Sequence, residues 1–357
     1  MKRGLDAPIC LTWELTYACN LQCVHCLSSS GQRDERELST AEAKRVLDEL
    51  RDLQVFYINI GGGEPMVRRD FFELLEYSVG NGIGVKFSTN GAFIDAEKAR
   101  RLAAMDYLDI QISLDGVDAV TNDAVRGVGS YDMARRAMDN LAAANFGPFK
   151  ISVVVTRHNV PQLDRFKALA DSYGAQLRIT RLRPSGRGAD TWHELHPTNG
   201  QQREIYDWLL KHGENVLTGD SFFHLNAFGE SLPGLNMCGA GRVVCLIDPI
   251  GDVYACPFVI HDEFRAGTCA MRGVSRACGS RAISSCRCAN HNPRARAHRA
   301  VRSTPARADA WPPSSSRVSR STDPTPSASV ATVNMLCRWW RRERRRNRRW
   351  ITRSRSC

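Results

Sequence analysis

The stretch ACNLQCVHC, residues 18–26, brings Cys19, Cys23 and Cys26 together within eight residues. Thiolates are soft ligands, so thiols spaced this closely read as a metal-binding or redox group. A structural zinc site is closed by four protein ligands, and His25 is the other ligand type at hand. His25 lies directly beside Cys26, where chelating the same ion as Cys23 and Cys26 is awkward. It is expected to pack or hydrogen-bond next to the site instead. The CxxxCxxC spacing suits a [4Fe–4S] cluster held at three corners, which leaves the fourth iron open to a ligand from outside the chain.

The segments around these thiols alternate short β-rich runs with amphipathic helical stretches. ICLTWELT, VFYINIGG, GVKFSTNG, YLDIQISLDG, FKISVVVT and AQLRITRL read as strands. Helices are expected between them, starting near Ser39, Asp70, Asp95, Tyr131 and Pro161, and a last one over about residues 198–211. Ser39 with Glu42 makes a capping box. Six β/α units follow, with hydrophobic residues on consecutive strand positions, as in parallel strands covered on both faces. The expected architecture is α/β, a partial (β/α)6 barrel. Cys19 to Cys26, GGGEP (61–65), STNG (88–91), SLDG (113–116) and RLRPSGRG (181–188) each follow a strand. They therefore share the C-terminal rim, where parallel barrels build their sites.

Composition bounds the rest. The chain has 357 residues, 43% of them hydrophobic, enough for a sizeable core. It has no run of eighteen apolar residues, and its start lacks the order of a secretory signal, so a cytoplasmic location is expected. There its thirteen cysteines stay reduced.

The net charge of +11 is unevenly spread. Residues 1–267 hold 28 Lys+Arg against 35 Asp+Glu, whereas residues 268–357 hold 21 Arg, no Lys and 3 acids. That Arg, Ser, Ala and Pro tail offers little apolar surface and is expected to be disordered. RWWRRERRRNRRW (338–350) suits phosphates or an anionic membrane. The abrupt change of composition, however, is what out-of-frame translation of a G+C-rich gene produces. That reading is preferred, with no nucleic-acid or membrane partner expected.

CxxxCxxC after the first strand, GGEP after the second and a serine-bearing strand end further on resemble the radical S-adenosylmethionine enzymes over roughly residues 9–187. The resemblance implies that the cofactor's amino and carboxylate groups chelate the open iron of the [4Fe–4S] cluster, and that a 5′-deoxyadenosyl radical abstracts hydrogen from the substrate. It implies roles for particular residues as well. Gly62, Gly63 and Glu64 meet the methionine ammonium, and Pro65 stiffens their loop. Ser88 and Asn90 serve the ribose or carboxylate region, Ser113 and Asp115 offer acceptors to the ribose hydroxyls, and Arg126 is the candidate for the cofactor carboxylate.

Further on, Cys238, Cys245 and Cys256, with GDVYA before the last, resemble the opening of the auxiliary-cluster domain called SPASM. The second cysteine block of such domains, CxxCxxxxxCxxxC, is missing from this sequence. The expected organisation is thus a radical SAM partial barrel (1–215), a truncated SPASM region (216–267) and the Arg-rich tail (268–357).

Within the SPASM-bearing enzymes, LTWELTYACNLQCVHCLSSSG, RLRPSGRG and CLIDPIGDVYACPF resemble the mycofactocin maturase family. That resemblance implies oxidative decarboxylation of the tyrosine in the C-terminal Val-Tyr of a precursor peptide, then carbon–carbon bond formation. Its implied partners are that peptide, a small separate peptide-binding chaperone and an electron donor, since little chain precedes Ile9 to serve as a recognition domain. Two alternatives remain at this point: a related enzyme acting on another peptide or on a tetrapyrrole carboxylate, and a non-functional frame-shifted product.

Overall fold

The computed structural model describes residues 10–55, 57–218, 222–232, 240 and 244–269. Cys238 and the Arg-rich tail from residue 270 on lie outside the described residues, and so do the expectations made of them.

Six parallel strands form the centre of one sheet. They are β1 (Cys10–Glu14), β2 (Tyr57–Gly61), β3 (Gly84–Thr89), β4 (Leu108–Ser113), β5 (Lys150–Val155) and β6 (Gln176–Arg181), neighbours in chain order. Helices α1 (Thr40–Asp52), α2 (Phe71–Gly80) and α3 (Ala96–Ala103) separate the first four strands. Between β4 and β5 lie α4 (Ala119–Arg126) and α5 (Ser130–Ala143), and α6 (Leu163–Ser172) precedes β6. After β6 come two single turns, α7 (Arg187–Asp190) and α8 (Trp192–Leu195), and then α9 (Asn199–His212). The expected capping box at Ser39 and Glu42 opens α1, and a second one, Thr198 with Gln201, opens α9.

The strands differ from expectation in one respect. Burial alternates along them: Val85, Phe87 and Thr89 of β3 are buried, Lys86 and Ser88 only half-buried. The buried row packs against the helices in one core with residues such as Leu47, Leu75, Leu141 and Phe166. The opposite face is polar, because register sets Asn59 beside Lys86, Lys86 beside Asp109, and Ser88 beside Gln111. Hydrophobic runs such as YINI and FKISVVV hid this polar face by interposing apolar residues at the strand edges.

The sheet extends on both sides. β7 (Val216–Thr218) adds in parallel to β6, and β8 (Val244–Ile247) adds in parallel to β1 with Leu11 opposite Cys245. β9 (Asp252–Tyr254) turns back antiparallel to β8, and β10 (Arg265–Thr268) follows it. The turn at Gly251, expected from GDVYA, has φ 86°, a conformation that favours glycine. Among the described residues no helix is long and apolar enough to cross a membrane.

Candidate cofactor site

The three thiols sit on the loop that leaves β1. Its base is closed by backbone pairing of Ala18 with Gly31: the Cys19 N–H donates to the Gly31 carbonyl at 3.0 Å and the Gly31 N–H to the Tyr17 carbonyl at 2.8 Å. The buried Glu37 carboxylate anchors the same point, accepting from the Thr16 hydroxyl at 3.0 Å and the Tyr17 N–H at 2.8 Å. Cys19, Cys23 and Cys26 are all half-buried. The Leu21 N–H donates to Cys19 Sγ at 3.4 Å, Cys23 Sγ lies 3.8 Å from the Arg126 carbonyl, and Cys26 Sγ lies 3.8 Å from Ser28 Oγ. Burial pushes the Cys19 and Cys23 thiols up.

The glycine-rich loop after β2 runs directly alongside. The Gly63 N–H donates to the Thr16 carbonyl at 2.8 Å and the Glu64 N–H to the Ala18 carbonyl at 2.9 Å. Gly62 has φ 107°, and a Cβ at Gly63 would lie 2.0 Å from the Ala18 oxygen. Both glycines are therefore demanded by the closeness of the two loops. Pro65 is buried and starts a short 3₁₀ turn.

Glu64 is 1% exposed. Its Oε1 accepts from the Thr89 hydroxyl at 2.9 Å and the Met66 N–H at 3.2 Å, and its Oε2 from the Asn90 N–H at 2.8 Å. Burial raises its carboxyl to about 7 in spite of those three donors. Such a group gains from any cation brought beside it. Asn90 in turn donates through Nδ2 to Asn20 Oδ1 at 2.8 Å, joining the end of β3 to the cysteine loop.

Asp115, expected to offer an acceptor to a ribose hydroxyl, is placed differently. It is fully buried, and its Oδ2 lies 2.7 Å from both Arg126 Nε and His25 Nε2. Its Oδ1 accepts the Val154 N–H at 2.7 Å. Burial alone would raise this carboxyl, yet Arg126 and His25 beside it hold it at about 2. Asp115 is thus an anion engaged inside the protein, where it orients Arg126 and ties His25 to the end of β4. His25 is committed to this pair beside the thiols, as its adjacency to Cys26 led one to expect. Ser88 and Ser113 close β3 and β4 on the polar face, both half-buried.

Two of the auxiliary candidates, Cys245 and Cys256, lie among the described residues. Cys245 is fully buried in the hydrophobic core, because its place on β8 puts it on the helix-facing side opposite Leu11. Cys256 is half-buried just after β9.

Sequence reasoning missed the residues that brace the loop: Asn20, Glu37, Thr89, Asn122 and Arg187. Asn122, fully buried, accepts the Asp115 N–H at 2.8 Å. The signal available for it was Asp118, which caps α4 by accepting the Thr121 N–H.

The donor set fits an iron–sulfur cluster. Three half-buried thiols share one braced loop, and among the described residues no three His, Cys, Asp or Glu side chains converge on a single ion. A cluster needs no such convergence, since each thiolate meets its own iron. Glu64 and Arg126, both buried, flank the loop.

Comparison with known proteins agrees. The radical SAM superfamily model matches residues 13–169. The mycofactocin maturase MftC of Mycolicibacterium smegmatis is 68% identical over 274 residues, covering 76% of this chain and 70% of that protein. The Fe-coproporphyrin III synthase of Methanosarcina barkeri is 39% identical over 209 residues, covering 58% and 52%. Among solved structures, SuiB of Streptococcus suis bound to S-adenosylmethionine has a TM-score of 0.65 at 17% identity, covering 79% of this chain and 68% of that one. SuiB with its precursor peptide SuiA gives 0.64, covering 80% and 68%. Membership implies a [4Fe–4S] cluster and S-adenosylmethionine as cofactors. The chain belongs to the mycofactocin maturase family of radical SAM enzymes.

Proposed function

We propose that the chain modifies the C-terminal Val-Tyr of a precursor peptide by oxidative decarboxylation of the tyrosine followed by carbon–carbon bond formation. The observation that carries this reading is the 68% identity to a mycofactocin maturase over 274 residues. When bound, the cluster and S-adenosylmethionine supply a 5′-deoxyadenosyl radical that abstracts hydrogen. Cys19, Cys23 and Cys26 would hold the cluster. Gly62 and Gly63 let backbone carbonyls approach the cofactor ammonium, and Glu64 supplies the matching charge. Arg126, aimed by Asp115, meets the cofactor carboxylate. Ser88, Asn90 and Ser113 serve its ribose side.

Residues 1–215 form the partial barrel and 216–267 the start of an auxiliary region. There Cys238, Cys245 and Cys256 are assigned to an auxiliary cluster. A peptide-binding chaperone and an electron donor complete the system, in a cytoplasmic setting.

The test is anaerobic incubation of the reconstituted chain with S-adenosylmethionine, reductant, chaperone and a peptide ending in Val-Tyr. Loss of carbon dioxide from that peptide, read by mass spectrometry, is expected. Decarboxylation of an iron coproporphyrin with the peptide untouched would favour the tetrapyrrole reading instead.

A further inference from the structure

RLRPSGRG, at the end of β6, carries Arg187, one of the residues that brace the cysteine loop. The cysteine loop is neither helix nor strand, so its carbonyls have no regular partners and must find them elsewhere or face water. The segment after β6 supplies them. Arg187 donates from Nε to the Cys23 carbonyl at 2.8 Å and from Nη1 to the Ser30 carbonyl at 2.9 Å. Thr191 Oγ1 donates to the Val24 carbonyl at 3.0 Å and Ser185 Oγ to the Leu27 carbonyl at 3.1 Å. The contact is close as well: a Cβ at Gly186, where φ is 54°, would lie 2.6 Å from the Cys26 and Leu27 oxygens.

On its other side the same loop is held by α4, with the Val24 N–H donating to the Val125 carbonyl at 2.9 Å and His25 on Asp115. Two separate segments, one after β4 and one after β6, thus hold the loop. Arg187 bridges the first and second halves of the loop through two arms of one rigid, planar fork.

We propose that Arg187 is the positioning residue of the three-thiol loop, its guanidinium bridging the Cys23 and Ser30 carbonyls so that the thiols are in place before any cluster binds. The loop geometry stands by itself; what the positioning serves rests on the cluster assignment made above. Charge-assisted hydrogen bonds to carbonyls are strong enough that losing two of them raises local opening by at least about tenfold. An ammonium is a compact point charge that reaches one carbonyl at a time, so lysine restores the bridge only in part.

The experiment compares the full chain, kept reduced and cluster-free, with Arg187→Ala, Arg187→Lys and Thr191→Val. Hydrogen exchange by mass spectrometry and alkylation of Cys19, Cys23 and Cys26 are measured together. In Arg187→Ala, exchange over residues 19–31 and alkylation of Cys23 rise at least about tenfold, while exchange in β3, β4 and β5 and the Tm stay as they were. Arg187→Lys lies between, and Thr191→Val shows a smaller rise centred on Val24. No change over residues 19–31, or an equal rise in the strands, overturns the proposal; should Arg187→Ala not fold, Arg187→Lys decides by the same criterion. Reconstitution with iron and sulfide gives a second readout, in which iron passes to a chelator faster from Arg187→Lys than from the parent chain. A parent chain that takes up no iron would count against the cluster assignment and leave the exchange result to judge Arg187.

Discussion

Arg126 Nε lies 2.7 Å from Oδ2 of Asp115, and both groups are buried. A buried ion pair is weak support for stability as a whole, but removing one member leaves an uncompensated charge. Asp115→Asn is therefore expected to cost about 3–5 kcal/mol and to lower the Tm by several degrees. Urea or thermal unfolding of the cluster-free chain checks this. Because the folded-state value is held at about 2, this contribution is present above the ordinary aspartate range. It is lost as pH falls from about 4 towards 2.

Glu14 behaves in the opposite sense. It is 4% exposed, and it lies on β1 beside Asp248, since Trp13 pairs with Ile247 across β1 and β8. Burial, then the charge of Asp248, raises its carboxyl to about 7, and among the described residues no donor reaches its Oε2. The folded chain holds this proton where the unfolded chain has released it, so stability falls as pH rises from about 4.5 through 7. Glu14→Gln is expected to remove part of that slope and to stabilise the chain at pH 8 by on the order of 3 kcal/mol. Asp248, raised to about 6 chiefly by burial, leaves a residual slope of the same sign. Unfolding free energies at several pH values measure both.

Glu64→Gln replaces an acceptor oxygen with an amide group facing the donors at Thr89, Met66 and Asn90. The affinity of the reconstituted chain for S-adenosylmethionine is expected to fall about tenfold or more, from a lost charge-assisted bond of about 1.5–3 kcal/mol. Calorimetric titration gives the number, and an unchanged Kd would place Glu64 outside the site.

Gly63→Ala adds a Cβ that would sit 2.0 Å from the Ala18 carbonyl oxygen, well inside contact distance. The two loops must separate. Cofactor binding is expected to be lost while β3 to β6 keep their hydrogen-exchange protection. Gly61, where an added Cβ meets nothing within 4 Å, is the control: Gly61→Ala retains the fold.

What was legible in the sequence follows from physical range. The six strands, the Ser39 capping box and the Gly251 turn are written in neighbouring residues, and they appear where periodicity and turn chemistry put them. The thiol loop, GGGEP and the strand ends could be set on one rim because parallel topology allows little else. The role of Asp115 could not be read, because its partners Arg126, His25 and Val154 come from three separate segments. Arg187 was likewise illegible, its two carbonyl partners lying more than 150 residues away. The place of Cys245 could not be read either, because its burial in the core comes from the pairing of β8 with β1, more than 200 residues apart in the chain.

The central claim is that Cys19, Cys23 and Cys26 carry the cluster through which this chain cleaves S-adenosylmethionine. The direct measurement is 5′-deoxyadenosine formed by the anaerobically reconstituted chain under reducing conditions, for the parent and for the variant with all three cysteines replaced by alanine. The account predicts 5′-deoxyadenosine from the parent and none above background from the variant. Equal formation by both would contradict it.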